Sequence, residues 1–198
     1  MLEATLTMTT VAPKLPVLTW KTDLATFYDA LSMLFEPSQA LQSIAPNIHS
    51  SLEYITAYDL IIDLTVQTLL SRSIGEQSSF ISGHARIGEV SNLSALSAAE
   101  QARVATSSEV LARLELLNAL YEKRYPGLRY ITFVNGRTRA EIAREMEDKL
   151  GLEHSLDAQH PGLDQITPIG DEEAWKSELR RAVEDLGRIA KSRLKVLT

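Results

Sequence analysis

The segment Asp171–Leu197, DEEAWKSELRRAVEDLGRIAKSRLKVL, carries the sharpest structural pattern in the chain. Acidic residues stand at its start and basic residues near its end, as the dipole of an α-helix favours. At about 3.6 residues per turn, Arg193 lies five turns beyond Trp175 and on the same face. The other members of that face are apolar: Leu179, Ala182, Leu186, Ala190 and Leu197. The segment therefore predicts a long helix with one basic side chain, Arg193, on its apolar face.

Two interpretations of Arg193 follow from this position. An arginine near a helix end can extend its guanidinium along apolar surface until the charged group reaches water. A guanidinium that stays buried must instead pair with a carboxylate or an anion. The sequence pattern leaves both interpretations open.

Helical spacing of apolar residues recurs along most of the chain and predicts an all-α, single-domain bundle of about seven to eight helices. The predicted helices before the last one lie at residues 24–36, 38–46, 57–73, 75–83, 98–124 and 138–150. Only LRYITFV, residues 128–134, has strand-like composition. Because no partner strand is evident, we expect a short extended segment packed on the helices. Residues 152–170 predict a loop, residues 1–19 a flexible N-terminal arm, and residues 20–198 the helical domain.

Composition narrows the possible functions of the chain. Its 198 residues hold 20 Lys and Arg against 26 Asp and Glu, a net charge of −6, and 44% hydrophobic residues. An acidic chain of this kind is a poor candidate for binding nucleic acid or a membrane. The absence of Cys excludes disulfides, thiolate nucleophiles and Cys-ligated zinc. The four histidines have no ligand-like spacing, so no metal site is predicted.

Two polar features in the middle of the chain are candidates for chemistry. His84 stands between Gly83 and Ala85, in a predicted loop at a helix end, where a lone histidine can be structural or can carry protons. Ser97-Ala-Ala-Glu100 matches a capping box at a helix start. On the inward face of that helix, Glu100 can also act as a positioned carboxylate.

Four motifs in this order resemble one known family. GHARIGE at 83–89, SAAEQA at 97–102, LNALYEKRYPGLRYITFVNGR at 117–137 and GRIAKSRL at 187–194 are similar to the 2-oxo-4-hydroxy-4-carboxy-5-ureidoimidazoline (OHCU) decarboxylases, and most to fungal members. The resemblance covers roughly residues 20–198. It departs from the family pattern at Ala85, where the family has proline, and at Arg129 and Thr132, which replace a proline and an aliphatic residue.

The resemblance implies a role for each matched residue. It implies that His84 is the acid–base group, Glu100 its partner and Arg193 the substrate anchor. It also implies a substrate-binding role for six residues: Ala85, Ser97, Gln101, Tyr130, Ile131 and Thr132. The family fold is an all-α bundle that uses no metal or organic cofactor and is often a homodimer.

The expected function is therefore cofactor-free decarboxylation of the ureidoimidazoline to (S)-allantoin in urate degradation. The expected partner is this small-molecule substrate, with no nucleic acid and no membrane, and a homodimer is possible. The expected compartment is intracellular, either cytoplasmic or peroxisomal, although no peroxisomal tripeptide stands at the C-terminus. Two alternatives are a helical binding or scaffold protein that keeps the fold without the chemistry, and a lyase acting on a related ureido acid.

Overall fold

The computed structural model describes residues 15, 23–55, 57–89 and 106–197, and all structural statements below concern these residues. They form seven α-helices and two short 3-10 helices, with no strand, so the predicted all-α class is confirmed. The α-helices are α1 Leu24–Phe35, α2 Gln39–Ser50, α3 Tyr58–Leu70, α4 Ile74–Ser82, α5 Ser108–Arg124, α6 Arg139–Leu150 and α7 Glu172–Leu197. The 3-10 helices are Leu52–Tyr54 and Leu163–Gln165.

Side chains at the helix ends explain where several helices begin and stop. Asp23 accepts hydrogen bonds from two amides at the start of α1, and Ser38 accepts one at the start of α2. Such caps satisfy amide groups that the first turn leaves without partners. Helices α4 and α6 both begin with a capping box, in which a Ser or Thr and a Glu three residues later exchange hydrogen bonds. Helix α6 stops at Gly151, which adopts the left-handed conformation with φ 69°, as predicted.

The long helix α7 is the central element of the packing. It lies against α1, α3 and α4, while α5 packs against α6. At Gly187, α7 approaches α3 so closely that a Cβ atom there would stand 2.8 Å from a methyl group of Val66. The predicted apolar face of α7 is buried, including Leu179, Ala182 and Leu186. This packing places the end of α7 beside the ends of α1 and α4, where the candidate site lies.

Residues 128–134 form the predicted extended segment. Leu128, Tyr130, Ile131 and Thr132 are buried, and no described residue pairs with them as a strand. The segment is held from α7 instead, since Nη1 of Arg181 donates to the carbonyl oxygen of Ile131 at 2.9 Å. Residues 152–170 form a loop around one 3-10 turn, also as predicted.

Two predicted helix boundaries are wrong. A helix over 98–124 cannot be continuous, because Thr106 is not helical and Ser107 is an extended N-cap whose side chain accepts from the amide of Val110. The helix predicted to stop at Pro46 continues to Ser50, with Pro46 inside it. Proline removes only one helical hydrogen bond, and the buried residues Ala45 and Ile48 on either side of it anchor the helix to the core.

Of the predicted N-terminal arm, the structure describes Leu15. Leu15 is buried, and its amide donates to the carbonyl oxygen of Leu197 at 3.4 Å. The other residues predicted as the arm lie outside the described part of the chain.

No described helix combines the length and the apolar composition that a membrane crossing requires.

Candidate active site

His84 lies just beyond the end of α4 and is buried, with 6% of its surface exposed. Its amide donates to the carbonyl oxygen of Ile81 at 3.1 Å, which continues the last turn of the helix. Its ring meets the edge of the Phe80 ring at a centroid distance of 5.0 Å. The histidine is therefore held by the same helix turn that it terminates.

The hydrogen bond of the His84 ring defines its tautomer. Nδ1 lies 3.0 Å from the carbonyl oxygen of Phe80. Because a carbonyl oxygen only accepts hydrogen bonds, Nδ1 carries the proton and Nε2 presents a lone pair. Nε2 is therefore a buried acceptor that makes no hydrogen bond within the described residues.

The surroundings of His84 keep its ring neutral. Burial lowers the pKa of His84 to about 4, and the nearby positive charge of Arg193 lowers it as well. Hydrogen bonding to the backbone of Phe80, the negative charge of Glu36 and a weaker contribution from the backbone of Phe35 raise the pKa but do not compensate for burial. At neutral pH the imidazole is thus a neutral group, able to accept a proton at Nε2.

Arg193 lies on the buried face of α7, with 5% of its surface exposed. Its Nη2 pairs with Oε1 of Glu36 at 2.8 Å, and its Nη1 donates to the carbonyl oxygen of Leu34 at 3.2 Å. Of the two interpretations left open by the sequence, the guanidinium is therefore buried and paired with a carboxylate. It is also close enough to His84 to lower the pKa of that ring.

Glu36 is a member of the site that the sequence analysis missed. It follows the last residue of α1 with φ 64° and ψ 144°, a conformation that residues other than glycine rarely adopt. Such backbone strain costs on the order of 1–3 kcal/mol and is concentrated at functional sites. The sequence held one local signal for Glu36, which is its place directly before Pro37. A residue before proline is driven to extended ψ values.

The loop after His84 is fastened to α5. The side chain of Arg86 makes two hydrogen bonds of 2.7 Å to the carboxylate of Glu122. Nδ2 of Asn118 donates to the carbonyl oxygen of Ile87 at 2.9 Å. Gly88 has φ 84° and packs so closely on Leu114 that a Cβ atom would stand 3.2 Å from it. The loop is therefore a fixed part of the site, with the half-buried Ala85 at its start.

The hydroxyls of Tyr130 and Thr132 bind Glu145, which belongs to a second group of polar side chains beside the extended segment. The hydroxyl of Tyr130 donates to Oε1 of Glu145 at 2.5 Å, and that of Thr132 donates to the same oxygen at 3.1 Å. Burial raises the pKa of Tyr130 to about 12, so its hydroxyl stays protonated. No described hydrogen bond joins either side chain to His84.

A cavity of about 330 Å³ opens on that side of the extended segment. It is lined by Thr132, Phe133, Asn135, Arg137, Glu145, Arg181, Asp185 and Arg188. The guanidinium of Arg137 binds Glu145 and three oxygens of the segment, at Thr132, Phe133 and Val134. The arginines in this cavity are paired with neighbouring carboxylates, so it has the character of a structural network.

A comparison with protein families shows the family of this chain. The sequence profile of the OHCU decarboxylases matches residues 21–195 of the 198-residue chain. The chain belongs to the OHCU decarboxylase family. No curated protein matches it. As a member of this carboxy-lyase family, it is a decarboxylase with a role in urate degradation.

In this OHCU decarboxylase, the described structure brings together two of the three predicted catalytic residues. His84 and Arg193 come from the ends of α4 and α7, with Glu36 beside Arg193. The third predicted residue, Glu100, and the predicted substrate-binding residues Ser97 and Gln101 lie outside the described part of the chain. The described residues contain no group of three or more His, Asp or Glu placed to hold a metal ion.

Proposed function

We propose that the protein removes CO2 from 2-oxo-4-hydroxy-4-carboxy-5-ureidoimidazoline and releases (S)-allantoin. One observation carries this proposal: His84 is buried and neutral, and its Nε2 lone pair has no partner within the described residues. Five buried side-chain atoms of the described residues lack a hydrogen-bond partner, and among them Nε2 of His84 is the imidazole nitrogen that lies in a family motif, so we assign it a substrate group as partner.

The reaction needs a group that moves protons. When the bond between the ring carbon and the carboxylate breaks, its electron pair passes onto the ring and its adjacent C=N and carbonyl groups. In the proposal, Nε2 of His84 accepts the proton of the ring hydroxyl and returns a proton to the ring carbon that becomes chiral. An imidazolium with a pKa of about 4 gives its proton up readily. Delivery from one face yields one enantiomer.

Arg193 is the proposed anchor for a polar edge of the ring. A guanidinium offers several donors in one plane, which suits two parallel hydrogen bonds to such an edge. The contacts with Glu36 and the Leu34 carbonyl fix that plane. Charge that develops on the ring is then met by a donor already in position, which is where electrostatic catalysis gains most.

The remaining matched residues complete the proposed pocket. Glu100 is proposed as the carboxylate partner of His84 in handling the ring hydroxyl and ureido groups, with Ser97 and Gln101 near it. We propose that four residues form the wall of the substrate pocket: Ala85, Tyr130, Ile131 and Thr132. Because the hydroxyls of Tyr130 and Thr132 bind Glu145, these two residues contact the substrate through their backbone groups in this proposal.

Circular dichroism tests the reaction directly. Freshly made product of urate oxidation is supplied to the protein, and the growth of optically active allantoin is followed with time. We expect the (S) enantiomer at a rate well above the slow racemic background. A wild-type protein that gives only the racemic background would overturn the proposal.

The same assay tests the proton carrier. His84→Ala is expected to abolish the optical signal while the far-ultraviolet spectrum still reports the helices. The matched control is His154→Ala, because His154 is half exposed and pairs only with Asp148 on the surface. Full activity in His84→Ala would remove His84 from the mechanism and leave the identity of the reaction untouched.

A further inference from the structure

The backbone carbonyl of His84 has a partner that comes from outside its own helix. Nη1 of Arg129, at the start of the extended segment, donates to this oxygen. The two residues are separated by 45 positions in sequence. On its other side, Nε of Arg129 lies 3.9 Å from Oε1 of Glu122. Arg129 therefore holds the peptide after the histidine by a hydrogen bond and faces α5 through a charge contact, with no hydrogen bond from its Nε within the described residues.

Glu122 is fixed by more than Arg129. It holds Arg86 by two hydrogen bonds of 2.7 Å, and the amide of Arg86 donates to Oε2 of Glu89 at 2.8 Å. Asn118, one turn earlier on the same face of α5, holds the carbonyl oxygen of Ile87. The carboxylate beside Arg129 thus belongs to a rigid helix and to the tethers of the His84 loop.

The neighbours of His84 in sequence provide little restraint of their own. Gly83 has the widest backbone freedom of any residue, and Ala85 has a side chain too small to limit the peptide. The last turn of a helix is also its least ordered part. On the helix side, His84 is held by Ile81 and Phe80. On the far side, Arg129 is the described contact with the His84 peptide itself, and the tethers at Arg86 and Ile87 hold the loop that follows.

We propose that Arg129, supported by Glu122, is a positioning residue that fixes the His84 peptide and so the direction of the His84 ring. The inference rests on the proposed function, since it assigns Arg129 a role in the reaction that His84 performs. A guanidinium donates to a carbonyl oxygen along fixed directions, so it restrains the rotation of the peptide plane between His84 and Ala85. A ring that must deliver a proton to one face of a substrate needs this restraint.

Three variants separate this role from simple support of the fold. Arg129→Met removes the donor and the charge, and Arg129→Lys keeps a cation that can still reach a carbonyl oxygen. The matched control is Arg124→Met, because Nη1 of Arg124 also donates to a backbone carbonyl, that of Thr167 at 2.9 Å, but in a different loop. For each protein, kcat and KM for optically active allantoin, the melting temperature and the NMR signals of the His84 ring are measured.

Arg129→Met is expected to lower kcat by roughly 10- to 100-fold, because a small displacement of a catalytic group has an effect of this size. Its KM should change by less than about threefold, because the anchoring groups of the substrate are intact. Arg129→Lys should recover only part of kcat, because a flexible ammonium restrains the peptide less than a guanidinium, and Arg124→Met should match the wild type in kcat. A kcat of Arg129→Met equal to that of the wild type, or an equal fall in Arg124→Met, would overturn the positioning role.

The NMR arm distinguishes failure of this inference from failure of the proposed function. The edge contact with Phe80 gives the His84 ring protons a ring-current shift that depends on ring orientation. Arg129→Met should change this shift and Arg124→Met should not, whether or not the substrate is the ureidoimidazoline. If the wild type forms no optically active allantoin, the proposed function fails by itself. If the His84 signals are the same in Arg129→Met as in the wild type, the positioning inference fails by itself.

Discussion

Helix α7 carries two buried polar clusters that differ in how completely their groups are paired. Near its start, the carboxylate of Glu178 accepts hydrogen bonds from Tyr121 at 2.7 Å, from Lys149 at 2.6 Å and from Arg181 at 2.7 and 3.0 Å. Near its end, Arg193 pairs with Glu36, but Nε2 of the neighbouring His84 has no partner within the described residues.

The ionisation of the two clusters differs in the same way. Burial raises the pKa of Glu178, but hydrogen bonds and charge from Arg181 outweigh it, so the pKa is lowered and the carboxylate stays ionised. For His84, burial lowers the pKa to about 4 and no described partner restores it. The first cluster is complete without a ligand and connects three helices. The second leaves Nε2 of His84 without a hydrogen bond within the described residues, as expected if it is the proposed reaction site.

The largest effect is expected at Arg193. Arg193→Met takes away the guanidinium that pairs with the buried carboxylate of Glu36, which should lower the free energy of unfolding by about 3–5 kcal/mol. It also removes the proposed anchor, so kcat/KM should fall by roughly 100-fold or more, since two hydrogen bonds to a charged group contribute about 3–6 kcal/mol. Urea denaturation and the optical assay measure the two effects.

A double variant separates the two consequences. In Arg193→Met with Glu36→Gln, no buried charge is left unpaired, so most of the lost stability should return while the activity stays low. Lys149→Met is the matched control in the first cluster, where the loss of a cation from Glu178 should affect stability and leave kcat/KM within about threefold. Activity that returns together with stability would show that Arg193 is only a structural partner of Glu36.

The second effect concerns the dependence of stability on pH. Because the pKa of His84 is about 4 in the folded protein and 6.5 as its ordinary value, between these values the unfolded chain binds a proton that the folded protein does not. Stability is therefore lost as pH falls from about 6.5 to about 4, by about 3 kcal/mol in total, and this loss ends below the folded pKa.

The variant His84→Gln isolates this contribution, since it replaces this one histidine and keeps the other three in the sequence. The free energy of unfolding is measured in urea at pH 7, 5.5 and 4.5. The difference between wild type and variant should shift in favour of the variant as the pH falls. A constant difference would mean that the His84 ring is not held neutral, and the contrast between the two clusters would lose its electrostatic basis.

Local sequence patterns were sufficient for most of the fold. The apolar periodicity of α3 and α7, and the stop of α6 at Gly151, depend on residues a few positions apart and were predicted. The same approach failed at Pro46 and at Ser107. At Pro46, tertiary packing keeps helix α2 intact across the proline. At Ser107, the side chain caps the start of helix α5 within a polar stretch of the sequence.

The site was predictable only in part, because its contacts join distant positions. Periodicity placed Arg193 on the buried face, and the motif singled out His84. The partners of Arg193 were missed because they are distant in sequence: its bond to the Leu34 carbonyl spans 159 positions, and the only local signal for Glu36 was its place before Pro37. The contact of Arg129 with the His84 carbonyl was missed for the same reason.

The smallest effect is expected in the fully paired cluster, at Tyr121. Tyr121→Phe removes one hydrogen bond to the buried carboxylate of Glu178, so the free energy of unfolding should fall by about 2 kcal/mol. Activity should stay within about threefold of the wild type, because Lys149 and Arg181 still hold Glu178. Tyr125→Phe is the control, since its ring packs on Tyr121 but its hydroxyl makes no hydrogen bond to the protein within the described residues. If Tyr121→Phe lowered kcat/KM tenfold without a change in stability, the Glu178 cluster would have to be counted with the reaction site, because a fully paired network would then act on the substrate.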